Sequence, residues 1–309
     1  MASADLTAGA GPVLRARRRR IGEDVVKGVL AVCALISVAT TVGIVIALFV
    51  PAFEFFQEVS IVDFLTGTEW APLFEPAHFG VLPLVAGTLL VTAIAALVAL
   101  PLGLGSAIYL SEYASPRMRG TLKPALEILA GIPTIVFGYF ALTFMTPLLR
   151  DLGIQVDIFN TLSAGLVMGV YLIPTVASLS EDAMGAVPRE LRDGAYALGS
   201  TKVQVATRIV VPAAVSGIVA SFVLGISRAI GETMIVLVAM GQQPNLTFDP
   251  REAAEAMTAF IAATGAGDIP TGSLEYKTIF AVGATLFLMT FVMNIFAIRL
   301  VRKYREVYE

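Results

Sequence analysis

The sequence predicts an all-α membrane protein: a six-helix transmembrane bundle with a long amphipathic connection on one face. Three observations carry this. The chain is 57% hydrophobic and only 15% charged, with mean hydropathy +0.82, whereas a soluble domain has about 25% charged residues. Uncharged runs recur at the roughly 20 residues that a helix needs to cross a hydrocarbon core of about 30 Å. The basic residues fall on alternate connections, as the positive-inside rule requires.

The uncharged runs are Gly28–Pro51, Val81–Ser111, Ile128–Leu149, Ile158–Ser180 and Thr278–Ile298, and a further span starts at Ile209 and runs to Gly241. Arg228 and Glu232 interrupt that span. The first run is too long and starts too deep in the chain for a cleaved signal, and no small-residue cleavage site follows it. One set of basic residues comprises Arg15, Arg17, Arg18, Arg19, Arg20 and Lys27 in the tail, Arg117, Arg119 and Lys123, then Arg189, Arg192, Lys202 and Arg208, then Arg299, Arg302, Lys303 and Arg305. The opposite side has only Arg150, Arg251 and Lys277. This asymmetry predicts a multi-pass plasma-membrane protein with both termini in the cytoplasm.

Three regions follow. Residues 1–23 read as a disordered basic cytoplasmic tail, whose arginines suit anionic lipid rather than nucleic acid because no aromatics are interleaved. Residues 24–80 read as the first transmembrane helix and an external loop, a small packed or interfacial element with the sole tryptophan, Trp70. Residues 81–309 read as a core of five transmembrane helices with a cytoplasmic loop at 181–212. Breaks are expected at Pro101, at Gly131-Ile-Pro133 and at Pro174, close helix approach at Gly165 and Gly169, and a short helix in EAAEAMTAFIAA.

Much chemistry is excluded. One cysteine, Cys33, and one histidine, His78, allow neither an internal disulfide nor a Cys/His metal cluster. A Ser-His-Asp site would have to use His78, without a nucleophile motif beside it. Cys33 reads as a small packing residue, and the chain reads as a non-enzyme.

The loop EDAMGAVPRELRDGAYALGSTKVQVATRIVVPAAVSG reads as helix–turn–helix. Pro188 suits a first turn, Arg189–Leu198 is amphipathic, Gly199 supplies a left-handed stop, and Ser200 or Thr201 caps the next helix. Such a rigid helix is a docking knob for a soluble partner. Asp193-Gly194-Ala195, three residues, Gly199, nine residues, Ile209, one residue and Val211-Pro212 resemble the EAA loop of ATP-binding-cassette importer permeases, E-A-A, three residues, G, nine residues, I-x-L-P. Asp193, Gly194 and Val211 depart from its letters, and Gly194 weakens the helix by about 1 kcal/mol relative to Ala. The resemblance implies a MetI-like permease fold in which 193–199 is the coupling helix seated on a cytoplasmic ATPase. It gives Asp193, Gly194, Ala195, Gly199, Ile209 and Pro212 that coupling role.

Arg228-Ala-Ile-Gly-Glu-Thr-Met234, PTIVFG at 133–138 and EWAP at 69–72 are similar to the C-type permease family (PstC) of the phosphate-specific importer, from about residue 24 to the C-terminus. On a continuous helix Arg228 and Glu232 share a face and can pair. Such a pair is either structural glue or the lining of an anion route. An Arg fork matches phosphate oxygens, Glu232 offsets it so that the ligand can leave, Ser227 and Thr233 add hydroxyls, and Gly231 leaves room for backbone approach. With the resemblance added, these five residues are expected to line the pathway. Lys123 and Glu127 are expected to snorkel, and Asn294 to make an interhelical hydrogen bond.

No G-x-x-x-x-G-K-[ST] loop is present. ATP and Mg are therefore expected on a separate cytoplasmic ATP-binding subunit dimer, with no cofactor in this chain. The resemblance adds a homologous A-type second permease and an external phosphate-binding protein. A sulfate or molybdate permease is the main alternative; an ion-driven secondary transporter would need no coupling knob.

Overall fold

The computed structural model describes residues 21–303, so the expected disordered tail up to Arg20, and Arg305, lie outside the described residues. The chain forms two compact units, one ending at Ala47 and the other beginning at Leu48. Helix α1 (Ile21–Glu58) runs across that boundary. Cys33 is exposed on it, not packed.

From α1 the second unit continues through α2 (Ile61–Thr66), β1 (Trp70–Ala71), β2 (His78–Phe79), α3 (Leu82–Ile108), α4 (Pro116–Ala130), α5 (Thr134–Phe140) and α6 (Thr146–Asp151). It goes on through α7 (Thr161–Gly185), α8 (Arg189–Ala197), α9 (Lys202–Val205), α10 (Val211–Ala213), α11 (Val215–Ile230), α12 (Met234–Ala239), α13 (Met257–Gly265) and α14 (Leu274–Lys303). π-Helical turns at Tyr109–Tyr113, Ala141–Met145 and Ala206–Val210 extend α3 and join α5 to α6 and α9 to α10. Among the described residues α1, α3, α7 and α14 are long and apolar enough to cross a membrane singly. Two bent pairs, α4 with α5–α6 at 86° and α9–α10 with α11 at 72°, bring the spans to six.

The breaks fall partly where expected. Gly131-Ile132-Pro133 does interrupt the third span, so the crossing segment starts at Thr134 rather than Ile128. Pro101 and Pro174 do not break their helices; α3 and α7 run through them. A proline removes one hydrogen bond, and packing on a neighbouring helix holds the rest in line. The fifth span is not continuous to Gly241, because α11 stops at Ile230 and α12 restarts at Met234.

The α3–α7 pair forms the centre of the bundle. Lipid offers no hydrophobic drive between helices, so close packing of small residues must hold them. A Cβ on Gly165 would lie 2.7 Å from Ile94 Cβ, and one on Gly169 would lie 2.6 Å from Val98 Cβ and 3.0 Å from the Ala95 carbonyl. Gly169→Leu is therefore expected to cost at least the 1–3 kcal/mol typical of overpacking. The thermal denaturation midpoint of the detergent-solubilised chain should fall accordingly, and an unchanged midpoint would show that the helices are not held this closely.

At one end of the bundle, here the hairpin end, β1 and β2 pair antiparallel, Trp70 opposite Phe79. Phe55, Phe64, Trp70 and Phe260 meet edge to face, with centroids 5.7, 6.1 and 5.0 Å apart in turn; such contacts add about 0.5–1.5 kcal/mol each beyond burial. Residues 51–80 are thus a packed element, as expected. The helix expected over EAAEAMTAFIAA starts only at Met257. Ala253–Ala256 instead run irregularly through the core, because Gly87 lets the Glu255 carbonyl approach (a Cβ there would sit 2.3 Å from it) and Thr88 Oγ1 accepts the Met257 N–H at 3.0 Å.

Candidate functional site

Two constellations stand out, one at each place the sequence marked. The first is the loop of α8. Pro188 precedes α8, and Gly199 takes φ +81°, the left-handed stop expected of it. The next helix is capped by Thr201, not Ser200: its hydroxyl accepts the Gln204 N–H while Gln204 Oε1 accepts the Thr201 N–H at 2.8 Å, a reciprocal capping box. Asp193 and Gly194 are exposed, and nothing lies within 4 Å of a Cβ on Gly194. Ala195 turns inward to a cluster with Ala107, Met184, Val187, Val205 and Val210, against which Ile209 also packs. Pro212 is exposed in the first turn of α10. The exposed residues of the knob include Asp193, Gly194, Tyr196 and Leu198, the last 90% exposed.

What fixes this knob escaped the sequence reading. The Arg192 guanidinium donates to the Val187 carbonyl at 2.6 Å, the Met184 carbonyl at 2.8 Å and Glu112 Oε1 at 3.1 Å. The pair is sheltered, with side-chain exposures of 16% and 6%. Arg192 thus binds the Met184 carbonyl at the end of α7 and the Val187 carbonyl just beyond it, and ties α8 to the π-turn after α3. Lys123 does not merely snorkel: its Nζ donates to Glu181 at 2.7 Å and Asp182 at 3.0 Å, and Arg119 also pairs with the buried Glu181. These bonds tie α4, which buries no residue of its own, to α7.

The second constellation is at the end of α11. Among the described residues no ion pair joins Arg228 to Glu232. The face-sharing argument needs a continuous helix, and α11 has already ended at Ile230. Arg228 instead lies over the Tyr171 ring, 4.8 Å from its centroid, donates to the Tyr171 hydroxyl, and donates to Thr175 Oγ1 at 3.3 Å. Tyr171 and Thr175 share one face of α7 at i and i+4, and Arg228 as a residue remains exposed. Glu232 is buried, and its Oε1 accepts the N–H groups of Met234 at 3.0 Å and Ile235 at 3.3 Å, so that it satisfies the orphan donors opening α12. Thr233 donates to the Gly231 carbonyl at 3.3 Å. A Cβ on Gly231 would meet only Ser227 and Arg228 carbonyls, at 3.7 and 3.9 Å, so no backbone crowds it. Ser227 donates to Asn294 Oδ1 at 3.3 Å, the interhelical bond expected of Asn294.

The only raised carboxyl resolved among the described residues lies outside the spans: burial pushes Glu255 up to about 7. No group of three metal-ligating side chains occurs among the described residues.

Residues 99–306 match the family model for the binding-protein-dependent transport system inner membrane component. The chain belongs to this family. It is an importer permease subunit of the ATP-binding-cassette type. A probable ABC transporter permease protein, YqgH, of Bacillus subtilis is 35% identical over 288 residues, 92% of this chain and 93% of that protein. The phosphate transport system permease protein PstC of Xylella fastidiosa is 34% identical over 266 residues, 78% of this chain and 80% of its own length. A bacterial alginate ABC transporter solved in complex with an alginate pentasaccharide-bound periplasmic protein has the same fold, with TM-score 0.64 and 16% identity over 92% of this chain and 98% of that one. The six-helix permease fold expected from the sequence is thus the observed one.

Proposed function

We propose that this chain is one of two permease subunits of an ATP-driven importer of inorganic phosphate and contributes half of the translocation pathway. The observation that carries the reading is the Arg228 guanidinium, held at the α7–α11 face by Tyr171 and Thr175 with no carboxylate of the described residues on it. A guanidinium has five N–H donors in a fork that suits an oxyanion, and here several remain uncommitted. A lone cation is expensive in a membrane and marks a pathway or a counter-ion. One fixed arginine binds an anion weakly enough to release it. Relatives named as phosphate transport permeases make phosphate the favoured oxyanion.

In this reading the α8 end and both termini are cytoplasmic, and the hairpin end is external, as the basic residues indicate. Asp193, Gly194, Tyr196 and Leu198 meet an ATP-binding subunit, which carries ATP and Mg; an A-type permease completes the pathway; a phosphate-binding protein delivers substrate. ATP-driven closure of the ATPase dimer moves α8, and Arg192 passes that motion to the ends of α3 and α7.

The test is reconstitution of the assembly in liposomes. Phosphate-loaded binding protein is expected to stimulate ATP turnover, and sulfate-loaded protein is not. Equal stimulation by sulfate would replace phosphate with a broader oxyanion substrate. Uptake that survives deletion of 193–199 would point to a secondary transporter.

A further inference from the structure

A cavity of about 420 Å³ opens at the hairpin end. Its walls include Trp70, Phe74, Phe260, Glu255, Thr264 and Asp268. Two of these lack a side-chain partner among the described residues. Glu255 is 5% exposed, and its carboxyl has no hydrogen-bond or ion-pair partner among the described residues. The Trp70 indole N–H is buried with no acceptor among the described residues, and it calls for an oxygen such as a backbone carbonyl of the occupant. A buried polar group without a partner costs about 1–3 kcal/mol, and in a folded protein calls for an explanation.

The lining chemistry narrows the occupant. Two carboxyl groups and no lysine or arginine of the described residues line this space, so it offers a phosphate ion no cation. No group of three metal-ligating side chains forms here among the described residues. The aromatic walls favour a ligand with an apolar stem and a cationic head: the stem lies along the rings, and the head faces a ring and pairs with a carboxylate. Lysine and arginine side chains have that form.

We propose that this cavity receives an arginine or lysine side chain of the external delivery protein when it docks. This rests on the reading of the hairpin end as the external face. The raised Glu255 carboxyl is consistent with it: burial disfavours its charge, and a cation beside it would stabilise that charge.

Trp70 is the sole tryptophan of the chain, so its fluorescence reports on the cavity directly. The purified full chain in lipid nanodiscs is titrated with N-acetyl-arginine methylamide and with its neutral isostere, N-acetyl-citrulline methylamide. A saturable change with arginine, absent with citrulline and weakened about 10-fold or more in Glu255→Gln, is the expected result. Should Glu255→Gln fail to fold, Asp268→Asn is expected to weaken the response about 3-fold. Equal responses to both compounds, no saturable response, or unaltered binding in the folded variants would overturn the proposal. In the reconstituted assembly, Glu255→Gln is expected to raise about 10-fold the concentration of loaded binding protein that half-maximally stimulates ATP turnover. An unshifted concentration beside a positive fluorescence result would overturn the assignment of the occupant to the delivery protein. The fluorescence arm uses no phosphate, so failure of the substrate reading shows separately, as an unstimulated wild type.

Discussion

Arg228→Gln is expected to lower ATP-driven phosphate uptake about 100-fold in the reconstituted assembly, with little loss of thermal stability. The charge is the reason. Glutamine keeps a donor for Tyr171 or Thr175 but loses the forked cation that matches phosphate oxygens. Stability should change little, because Arg228 is exposed and balances no carboxylate among the described residues. Arg228→Lys keeps the charge without the fork and is expected to fall between the two. Glu232 gives the contrasting case. Its Oε1 caps α12, and a glutamine side chain retains an acceptor oxygen. Glu232→Gln is therefore expected to be mild in uptake and stability, and Glu232→Ala to cost about 1 kcal/mol of stability, the usual value of a lost cap. Full uptake by Arg228→Gln would reduce the arginine to a structural role.

Arg192→Met is expected to disconnect ATP hydrolysis from transport and to destabilise the chain by about 3–5 kcal/mol, the usual cost of breaking a buried ion pair from one side. It leaves Glu112 sheltered without its cation, and the Met184 and Val187 carbonyls lose their donor. Replacing both partners, Arg192→Met with Glu112→Met, removes the stranded charge and should recover most of the thermal stability. Transport per ATP should stay low in that double variant, because α8 is still untied from the end of α3. Recovery of coupling together with stability would show that the bond serves folding alone.

Both predictions concern bonds that the sequence did not display. The pattern of the α8 loop was readable because a proline start, a left-handed glycine and a capping threonine act within a few residues of one another. The Arg228–Glu232 pairing was misread for a related reason: the spacing was correct, but the argument assumed that a helix continues through Gly231, and α11 does not. Tyr171 and Thr175 were visible as polar letters at helical spacing within an apolar run. Nothing local says that they face residue 228. The same holds for Glu255, which sits among loop acids in the sequence and inside the core in space.

What the sequence by itself determined is the set of apolar segments, the sites of the local stops and caps, and the family motif. Each depends on transfer of a contiguous stretch into hydrocarbon, or on backbone geometry within one turn. Only the tertiary structure decided which charges have partners. Tyr171 meets Arg228 across 57 positions, Lys123 meets Glu181 across 58 and Glu112 meets Arg192 across 80. Those meetings follow from how closely α3 and α7 pack and where their neighbours bend, and that depends on side-chain volumes from every helix at once.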